Sequence, residues 1–223
     1  MRVGELWRYP VKSLRGELLE KAELTPLGIA GDRLVQALRP AGRVFTARTH
    51  PGMLGLQGGL DEDGVPTVDG IRWDEPAALD AVRAVTEPDA VLVHYEGDGP
   101  QRFDVLPISL ATDGGVAAVG VDRRRFRPNV YVTGVDGLAE RDWVGRSVRL
   151  GDAVVGVRKV RGRCVMTTYD PDTLEHDISV LQKIVWELDG RTALDCHVLE
   201  PGRVRVGDMV EVGGYLTLPH RAA

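Results

Sequence analysis

The stretch SVRLGDAVVGVRKV, residues 147–160, gives the clearest indication of how this chain folds. Residues 147–150 alternate polar and apolar, which is the period of strands that bury one face of a sheet, and the valine-rich residues 153–160 after a Gly-Asp pair are also typical of a strand. We therefore predict a β-dominated protein. Eight further segments have strand-like sequences bounded by Gly, Pro or Asp: 1–10, 16–28, 32–40, 43–48, 65–73, 90–95, 128–134 and 196–213.

The sequence predicts fewer helices than strands. Residues 74–86 begin with acidic residues and a proline and then carry apolar residues at helical spacing, so we expect a helix there. Weaker helical patterns cover 109–120 and 177–188. The expected fold class is β-rich α+β. The segment 94–107 is rich in Gly, Pro and charged residues and is the best candidate for a boundary between two halves of the chain.

Charge and cysteine content limit the possible functions. The 223 residues carry a net charge of −5, so no overall positive field would hold nucleic acid, and any bound anion should be small and locally held. The two cysteines suit neither a disulfide framework nor a structural zinc or iron–sulfur site, which indicates a reducing compartment. No signal peptide and no apolar run of roughly 18 residues is evident. We expect a cytoplasmic protein with no nucleic-acid or membrane partner.

Several common catalytic motifs are absent from the sequence. It has no G-x-x-x-x-G-K-[ST], no G-x-G-x-x-G after a strand, no H-E-x-x-H and no G-x-S-x-G, which argues against nucleotide hydrolysis, self-contained nicotinamide chemistry and serine hydrolysis. The five histidines are scattered without ligand spacing, so we interpret them as structural or surface residues. His176, just after an Asp-rich turn, is kept as a functional candidate.

Polar residues near turns offer a way to hold a small anion. Lys12 and Ser13 follow a Pro-containing bend, Arg33 follows a glycine turn, and Arg127 and Asn129 stand at the start of a strand-like segment. Arginine offers a planar fork that matches phosphate, lysine a compact charge, and Asn and Ser neutral hydrogen bonds. The alternative is that each is a solvated loop residue, and for the preceding basic run at 123–125 solvation is the expectation.

The segment KVRGRCVMTTYDPDT, residues 159–173, places a lone cysteine in an unusual setting. Arg161 and Arg163 flank Cys164 and would favour its thiolate, the form that attacks electrophiles or binds a soft metal. One thiolate cannot hold a metal alone, so the other ligands would come from a bound cofactor, or the thiol would act as a nucleophile or persulfide carrier. The alternative is that the cysteine is a small buried core residue.

Hydrogen-bonding residues follow this cysteine. Thr167 and Thr168 add donors, and the proline-fixed DPDT turn brings carboxylates at Asp170 and Asp172 that accept hydrogen bonds or cap the next segment. The other cysteine, Cys196, lies in a strand-like sequence, and we interpret it as structural.

Five motifs together resemble one family. YPVKS, GDR, FRPN, GRCVMTTYDPDT and VLEPGRVRVGD occur in the order found in proteins with an N-terminal MOSC-type β-barrel domain followed by a MOSC domain, the group that includes the mitochondrial amidoxime-reducing component. The resemblance spans roughly residues 3 to 213. It implies an N-terminal β-barrel-like domain at 1–98 and a MOSC β-barrel domain at 99–223.

The resemblance also implies a cofactor between the two domains. This is the molybdenum cofactor, a Mo-pyranopterin whose dithiolene supplies two sulfurs to the metal, while Cys164 supplies the protein's thiolate ligand. It further implies catalytic roles for Cys164 and Asp170. Pyridoxal phosphate binding is another property that we expect from the family. The residues expected to bind the molybdenum cofactor are Lys12, Ser13, Arg33, Arg127, Asn129, Arg163, Thr167 and Thr168.

The implied activity is two-electron reduction of small N-hydroxylated or N-oxide compounds. Too few cysteines for an iron–sulfur cluster and no dinucleotide fingerprint mean that a separate flavin, ferredoxin or haem protein must donate the electrons. Two alternatives stay open: sulfur transfer or cofactor carriage through Cys164, and binding of a small anion without molybdenum. Specificity transfers least, because Gly162 replaces a frequent serine, residues 174–193 are shorter and differently composed, and relatives usually lack a cysteine at Cys196.

Overall fold

The structure, a computed structural model, describes residues 1–95 and 100–216. The helices are α1 (Pro76–Val85), α2 (Pro100–Phe103), α3 (Asp113–Val119) and α4 (Ile178–Leu188), with short 3-10 helices at Pro51–Gly55, Arg123–Phe126, Ala139–Trp143 and Val165–Thr168. The strands are β1 (Arg2–Arg8), β2 (Glu17–Leu19), β3 (Lys21–Thr25), β4 (Gly28–Ile29), β5 (Val35–Leu38), β6 (Gly58–Leu60), β7 (Pro66–Val68), β8 (Ile71–Arg72), β9 (Val91–His94), β10 (Ile108–Thr112), β11 (Val130–Thr133), β12 (Arg146–Leu150), β13 (Ala153–Gly162), β14 (Arg191–Glu200), β15 (Gly202–Arg205) and β16 (Val210–Tyr215).

An eight-stranded sheet dominates the fold, in the order β16-β12-β13-β14-β10-β11-β1-β2. Its neighbours pair antiparallel except β10 and β11, which are parallel. The amide of Val3 donates to the carbonyl of Asp208 at 2.9 Å, so β1 also contacts the chain just before β16. The sheet is therefore curled, and its inner face buries a core that includes Leu6, Leu110 and Leu194.

A second core lies around β5, β9, α1 and the 3-10 helix at Pro51–Gly55. Val35, Phe45 and Met53 are fully buried there, and Met166 and Tyr169 from the C-terminal half pack against this core. The first core, in turn, contains residues of β1, β3 and β4. Each core therefore combines residues from the N-terminal and the C-terminal halves of the chain. The expected boundary between residues 98 and 99 lies outside the described residues and stays a prediction.

The predicted fold class is confirmed, with two local errors. The helix expected over 109–120 begins only at Asp113, because residues 108–112 form β10, in which all five positions are buried and no alternation is visible. The strand expected over 43–48 is reduced to one antiparallel bridge between Val44 and Leu38 of β5, after which Thr46–Thr49 form a turn. The helices expected at 74–86 and 177–188 are confirmed. Within the described parts of the chain, no helix combines the length and the apolarity needed to cross a membrane.

Candidate functional site

Cys164 lies where the longest strand pairing of the sheet ends. Strand β13 ends at Gly162, and Cys164 then caps the 3-10 helix at Val165–Thr168, its carbonyl accepting hydrogen bonds from the amide of Thr167 at 3.1 Å and from the Thr167 hydroxyl at 2.9 Å. The cysteine is half-buried and free, and it belongs to neither hydrophobic core. Its thiol is therefore available to a ligand, so the interpretation as a buried core residue is wrong.

Several separate segments meet around this thiol and form one cleft. They are the bend after β1, the turn after β4, the turn at 46–48, the segment after α2, the residues before β11 and the end of β13. Seven cationic side chains and one carboxylate line the cleft, so its local charge is opposite in sign to the net charge of the chain. Such a concentration of guanidinium and ammonium groups is suited to a small anion. The charged lining consists of Lys12, Arg33, Arg48, Arg125, Arg127, Arg161, Arg163 and Asp104.

Four residues that line the cleft have left-handed backbone conformations. The φ angles are 71° at Ser13, 52° at Arg33, 69° at Asp104 and 50° at Arg127. Aspartate tolerates this region, but serine and arginine rarely adopt it, at a cost of order 1–3 kcal/mol for each of these three residues. Strain of this kind persists where the surrounding structure enforces it, and it clusters at ligand-binding sites. Its concentration in one cleft therefore supports a binding role.

A charged network connects one wall of the cleft to the thiol. Lys12 Nζ lies 2.8 Å from Asp104 Oδ1, and Arg48 Nη2 lies 3.1 Å from Asp104 Oδ2. Burial alone would raise the pKa of Asp104, but these two cations lower it overall. Burial would lower the pKa of Arg48, whereas Asp104 and a hydrogen bond to Cys164 raise it. Arg48 is thus a cation placed directly beside the sulfur.

Two arginines of the cleft are half-buried, and their hydrogen bonds in the described part of the chain go only to backbone carbonyls. Arg163 donates to the carbonyls of Thr192 at 2.9 Å and Phe126 at 3.0 Å, and its Nη2 is buried without a partner. Arg127 donates to the carbonyl of Leu14 at 2.6 Å. Burial lowers the pKa of both guanidinium groups. The unpartnered nitrogen of Arg163 is therefore a donor in the cleft that a bound anion can accept from.

Seven of the ten residues predicted from the sequence line the cleft, and three do not. The seven are Lys12, Ser13, Arg33, Arg127, Arg163, Cys164 and Thr167. Asn129 is fully buried, where its amide accepts from the Ser109 amide at 3.1 Å and donates to the Trp7 carbonyl at 3.3 Å. It joins β1, β10 and β11 and so supports the wall of the cleft from behind.

Thr168 and Asp170 also lie outside the lining. The Thr168 hydroxyl donates to the carbonyl of Val165 at 2.6 Å, which fixes the 3-10 turn. Asp170 accepts from the amides of Asp172 and Thr173, and its other oxygen accepts from Arg125 at 3.1 Å. These bonds give both residues a supporting position, and direct roles for them and for Asn129 stay predictions.

Several residues of the cleft were not expected from the sequence. Arg125, expected to be solvated, has a side chain only 11% exposed and paired with Asp170. Arg48 was assigned to a strand that does not form, and Asp104 lies in the segment expected to join the two halves. No sequence signal distinguished these residues from other loop charges, because their positions depend on how distant segments meet.

The two remaining candidates lie away from the cleft. His176 is exposed, with its ring 4.9 Å from that of Tyr169, and does not line the cleft. Cys196 is fully buried in the first core, so its interpretation as a structural residue is confirmed.

Asp104 competes with any bound anion for the cations it holds, which gives a direct test of the cleft. We expect Asp104→Asn to strengthen binding of inorganic phosphate several-fold, because Lys12 and Arg48 lose their carboxylate while asparagine tolerates the left-handed backbone. Titration calorimetry would measure the change. Asp63→Asn, at a carboxylate whose side chain is 79% exposed, is the matched control and should leave phosphate binding unchanged. Unchanged or weaker binding by folded Asp104→Asn would contradict the assignment.

The cleft fits a cofactor that brings most of its own metal ligands. Among residues 1–95 and 100–216, no group of three or more His, Cys, Asp or Glu side chains could hold a metal ion. A metal bound at Cys164 would therefore need other ligands from a cofactor. The unpartnered Arg163 nitrogen and the cationic lining fit a group that carries a phosphate.

Sequence comparisons identify the class of protein. Residues 1–100 match the MOSC N-terminal beta barrel domain and residues 109–211 match the MOSC domain. The chain therefore belongs to the MOSC-domain proteins that carry an N-terminal MOSC β-barrel domain, as the motifs predicted.

The curated relatives of the chain are amidoxime-reducing components. The human mitochondrial amidoxime-reducing component 1 is 26% identical over 281 residues, covering 95% of this chain and 83% of the relative. The bovine mitochondrial amidoxime reducing component 2 is 24% identical over 229 residues, covering 77% of this chain and 67% of the relative. The crystal structure of the YUAD protein from Bacillus subtilis has a TM-score of 0.50 and 16% identity, and covers 96% of both chains. This last similarity concerns the fold alone.

Proposed function

We propose that this protein is a molybdenum-cofactor-dependent oxidoreductase that reduces small N-hydroxylated or N-oxide compounds. The observation that carries the proposal is a half-buried thiol, Cys164, in a cleft lined by seven cations. The relatives named amidoxime-reducing components support the reaction class. For an N-hydroxylated substrate, two electrons and two protons convert the N–OH group to N–H and water.

Each part of the cleft has a distinct task in this proposal. Lys12, Ser13 and Arg33 bind the pterin and its phosphate, and Arg163 donates from the nitrogen that has no partner among the described residues. Cys164 provides the protein's thiolate ligand, and Arg48 stabilises the negative charge on its sulfur. When bound, the cofactor would supply two-electron redox chemistry and an acceptor for the substrate oxygen.

The electrons come from a separate protein in this proposal. The two cysteines of the chain cannot hold an iron–sulfur cluster, and the sequence has no dinucleotide-binding fingerprint. A flavin, ferredoxin or haem protein would therefore dock near the cleft and reduce the centre. The expected cytoplasmic location stays a prediction. Pyridoxal phosphate has no support in the domain matches or the relatives' names, and we do not include it.

The reaction class is tested by reduction of simple substrates with an artificial electron donor. Protein from a host that makes the cofactor should oxidise reduced viologen dye when benzamidoxime or hydroxylamine is added, with formation of benzamidine or ammonia. Protein from a cofactor-deficient host is the control and should be inactive. Cofactor-loaded protein that reduces neither compound would rule the proposal out.

Sulfur transfer is the second candidate, because a half-buried thiol beside arginines is also suited to a persulfide. It predicts cyanide-labile sulfur on Cys164 after exposure to a sulfur donor, detectable as added mass on the peptide containing Cys164. Cofactor carriage predicts bound cofactor that passes to an acceptor apoenzyme and no dye-driven reduction. These two results separate the alternatives from the reductase.

A further inference from the structure

A second cavity adjoins the cleft and is not used by the function proposed above. Arg125, Arg127 and Met166 line both spaces, so these three side chains form the partition between them. Within the described residues, Arg127 is the one predicted cofactor residue that also lines the second cavity. Met166 is two positions from Cys164 in the chain, and its unbranched side chain is adaptable. A ligand in the second cavity would therefore lie next to the cofactor cleft.

Part of the second cavity is aromatic and apolar. Trp7, Tyr9 and Leu54 line it and do not line the cleft. The Trp7 indole donates to Glu5 Oε2 at 2.8 Å, and the Tyr9 hydroxyl donates to the Pro128 carbonyl at 3.1 Å, so hydrogen bonds hold both rings. Tyr9 is almost fully buried beneath Arg127, whose guanidinium lies 4.3 Å from the ring centroid, so Trp7 is the aromatic wall open to a ligand. A preformed aromatic wall binds flat apolar groups with little loss of side-chain entropy.

The rest of the cavity is cationic. Four arginines line it, and no carboxylate belongs to the described lining. Arg124 and Arg125 are already paired with neighbouring aspartates. Arg15 donates only to backbone carbonyls, at 2.9 Å from Leu54 and 3.2 Å from Asp172, and forms no ion pair among the described residues. Its charge is therefore available to an anionic substituent on a ligand.

We propose that the second cavity binds the non-reacting part of the substrate, and that this part is an aromatic ring bearing a carboxylate. The ring packs against Trp7, the carboxylate pairs with Arg15, and the N-hydroxylated group extends past Met166 into the cleft. The inference rests on the proposed reductase function, because it assigns the substrate class of that same site.

Equilibrium binding tests this assignment without turnover. Calorimetry on the cofactor-loaded protein, with no reductant present, compares 4-carboxybenzamidoxime, benzamidoxime and acetamidoxime. Wild-type protein should bind them in that order of decreasing affinity. Trp7→Ala should weaken both aryl compounds by about tenfold, and Arg15→Met should weaken only the carboxylate by about tenfold. Trp186→Ala and Arg72→Met, at exposed positions away from both cavities, are the matched controls.

The possible results separate this inference from the proposed function. Equal affinity of wild-type protein, Trp7→Ala and Arg15→Met for 4-carboxybenzamidoxime would overturn the assignment. If either variant lost molybdenum while its aryl binding stayed unchanged, the cavity would belong to the cofactor site. That result would also overturn the assignment of the cavity to the substrate. Arg15→Met retains an aliphatic stem, so the assignment stays testable if Trp7→Ala misfolds. Selective binding of the aryl compounds without any dye-driven reduction would support the second cavity as an aryl-binding site and would refute the proposed reductase function.

Discussion

Cys164→Ala is expected to abolish dye-driven reduction of benzamidoxime while leaving the protein folded. The side chain is half-buried and belongs to neither core, so its removal leaves no large cavity. In the proposed site, however, it is the protein's only ligand to the metal. The measurements are the reduction rate for each molybdenum atom retained and the midpoint of thermal unfolding.

Cys196→Ala is the matched control for this prediction, since it removes the other sulfur of the chain. That thiol is fully buried in the sheet core, and burial raises its pKa far above the usual range of a cysteine. We expect Cys196→Ala to lower the free energy of unfolding by roughly 1–2 kcal/mol and to keep its activity. Wild-type activity in Cys164→Ala would refute the redox mechanism.

Arg33→Met is expected to release the cofactor. Arg33 is mostly buried, lies over the Tyr9 ring at 5.4 Å and pairs with the fully buried Asp32. Loss of one charge-assisted contact to the cofactor would weaken its retention by about tenfold or more. Pterin fluorescence and molybdenum content after gel filtration would measure the loss.

A double variant separates binding from folding in this experiment. Arg33→Met alone leaves the Asp32 carboxylate buried without its partner, which is destabilising. Asp32→Asn/Arg33→Met removes that charge, so it should recover stability and still lose the cofactor. Arg39→Met is the control, because Arg39 pairs with Glu87 outside the cleft and also lies over an aromatic ring. Full cofactor retention in the double variant would contradict the assignment of Arg33.

Residues with local sequence signals could be placed in the fold from the sequence. Lys12, Ser13 and Arg33 follow turns, and Cys164 follows a strand, so their positions at the ends of elements could be inferred from the residues beside them. The family motifs then grouped these residues, and the structure brings them to one cleft. The amphipathic helix at 178–188 was equally visible because its buried residues recur at helical spacing, and the strand at 153–162 because it is rich in valine and follows a Gly-Asp turn.

The remaining parts of the fold and the site depend on contacts between distant segments. Strand β10 is buried on both faces, so it has no alternation and was mistaken for part of a helix. Arg48 and Asp104 are 56 positions apart in the chain, and their pairing beside Cys164 follows only from the packing of the two cores. The second cavity likewise combines residues from β1, the first 3-10 helix and the segment after Cys164. No local pattern in the sequence indicates such a combination.

The most direct test of the cofactor site is the molybdenum content of the purified protein. Protein from a cofactor-competent host should contain near-stoichiometric molybdenum together with a pterin that is released on denaturation. Cys164→Ala and the Asp32→Asn/Arg33→Met variant should contain far less molybdenum. Folded wild-type protein that contains no molybdenum, or variants that retain as much as the wild type, would contradict a molybdenum site at Cys164.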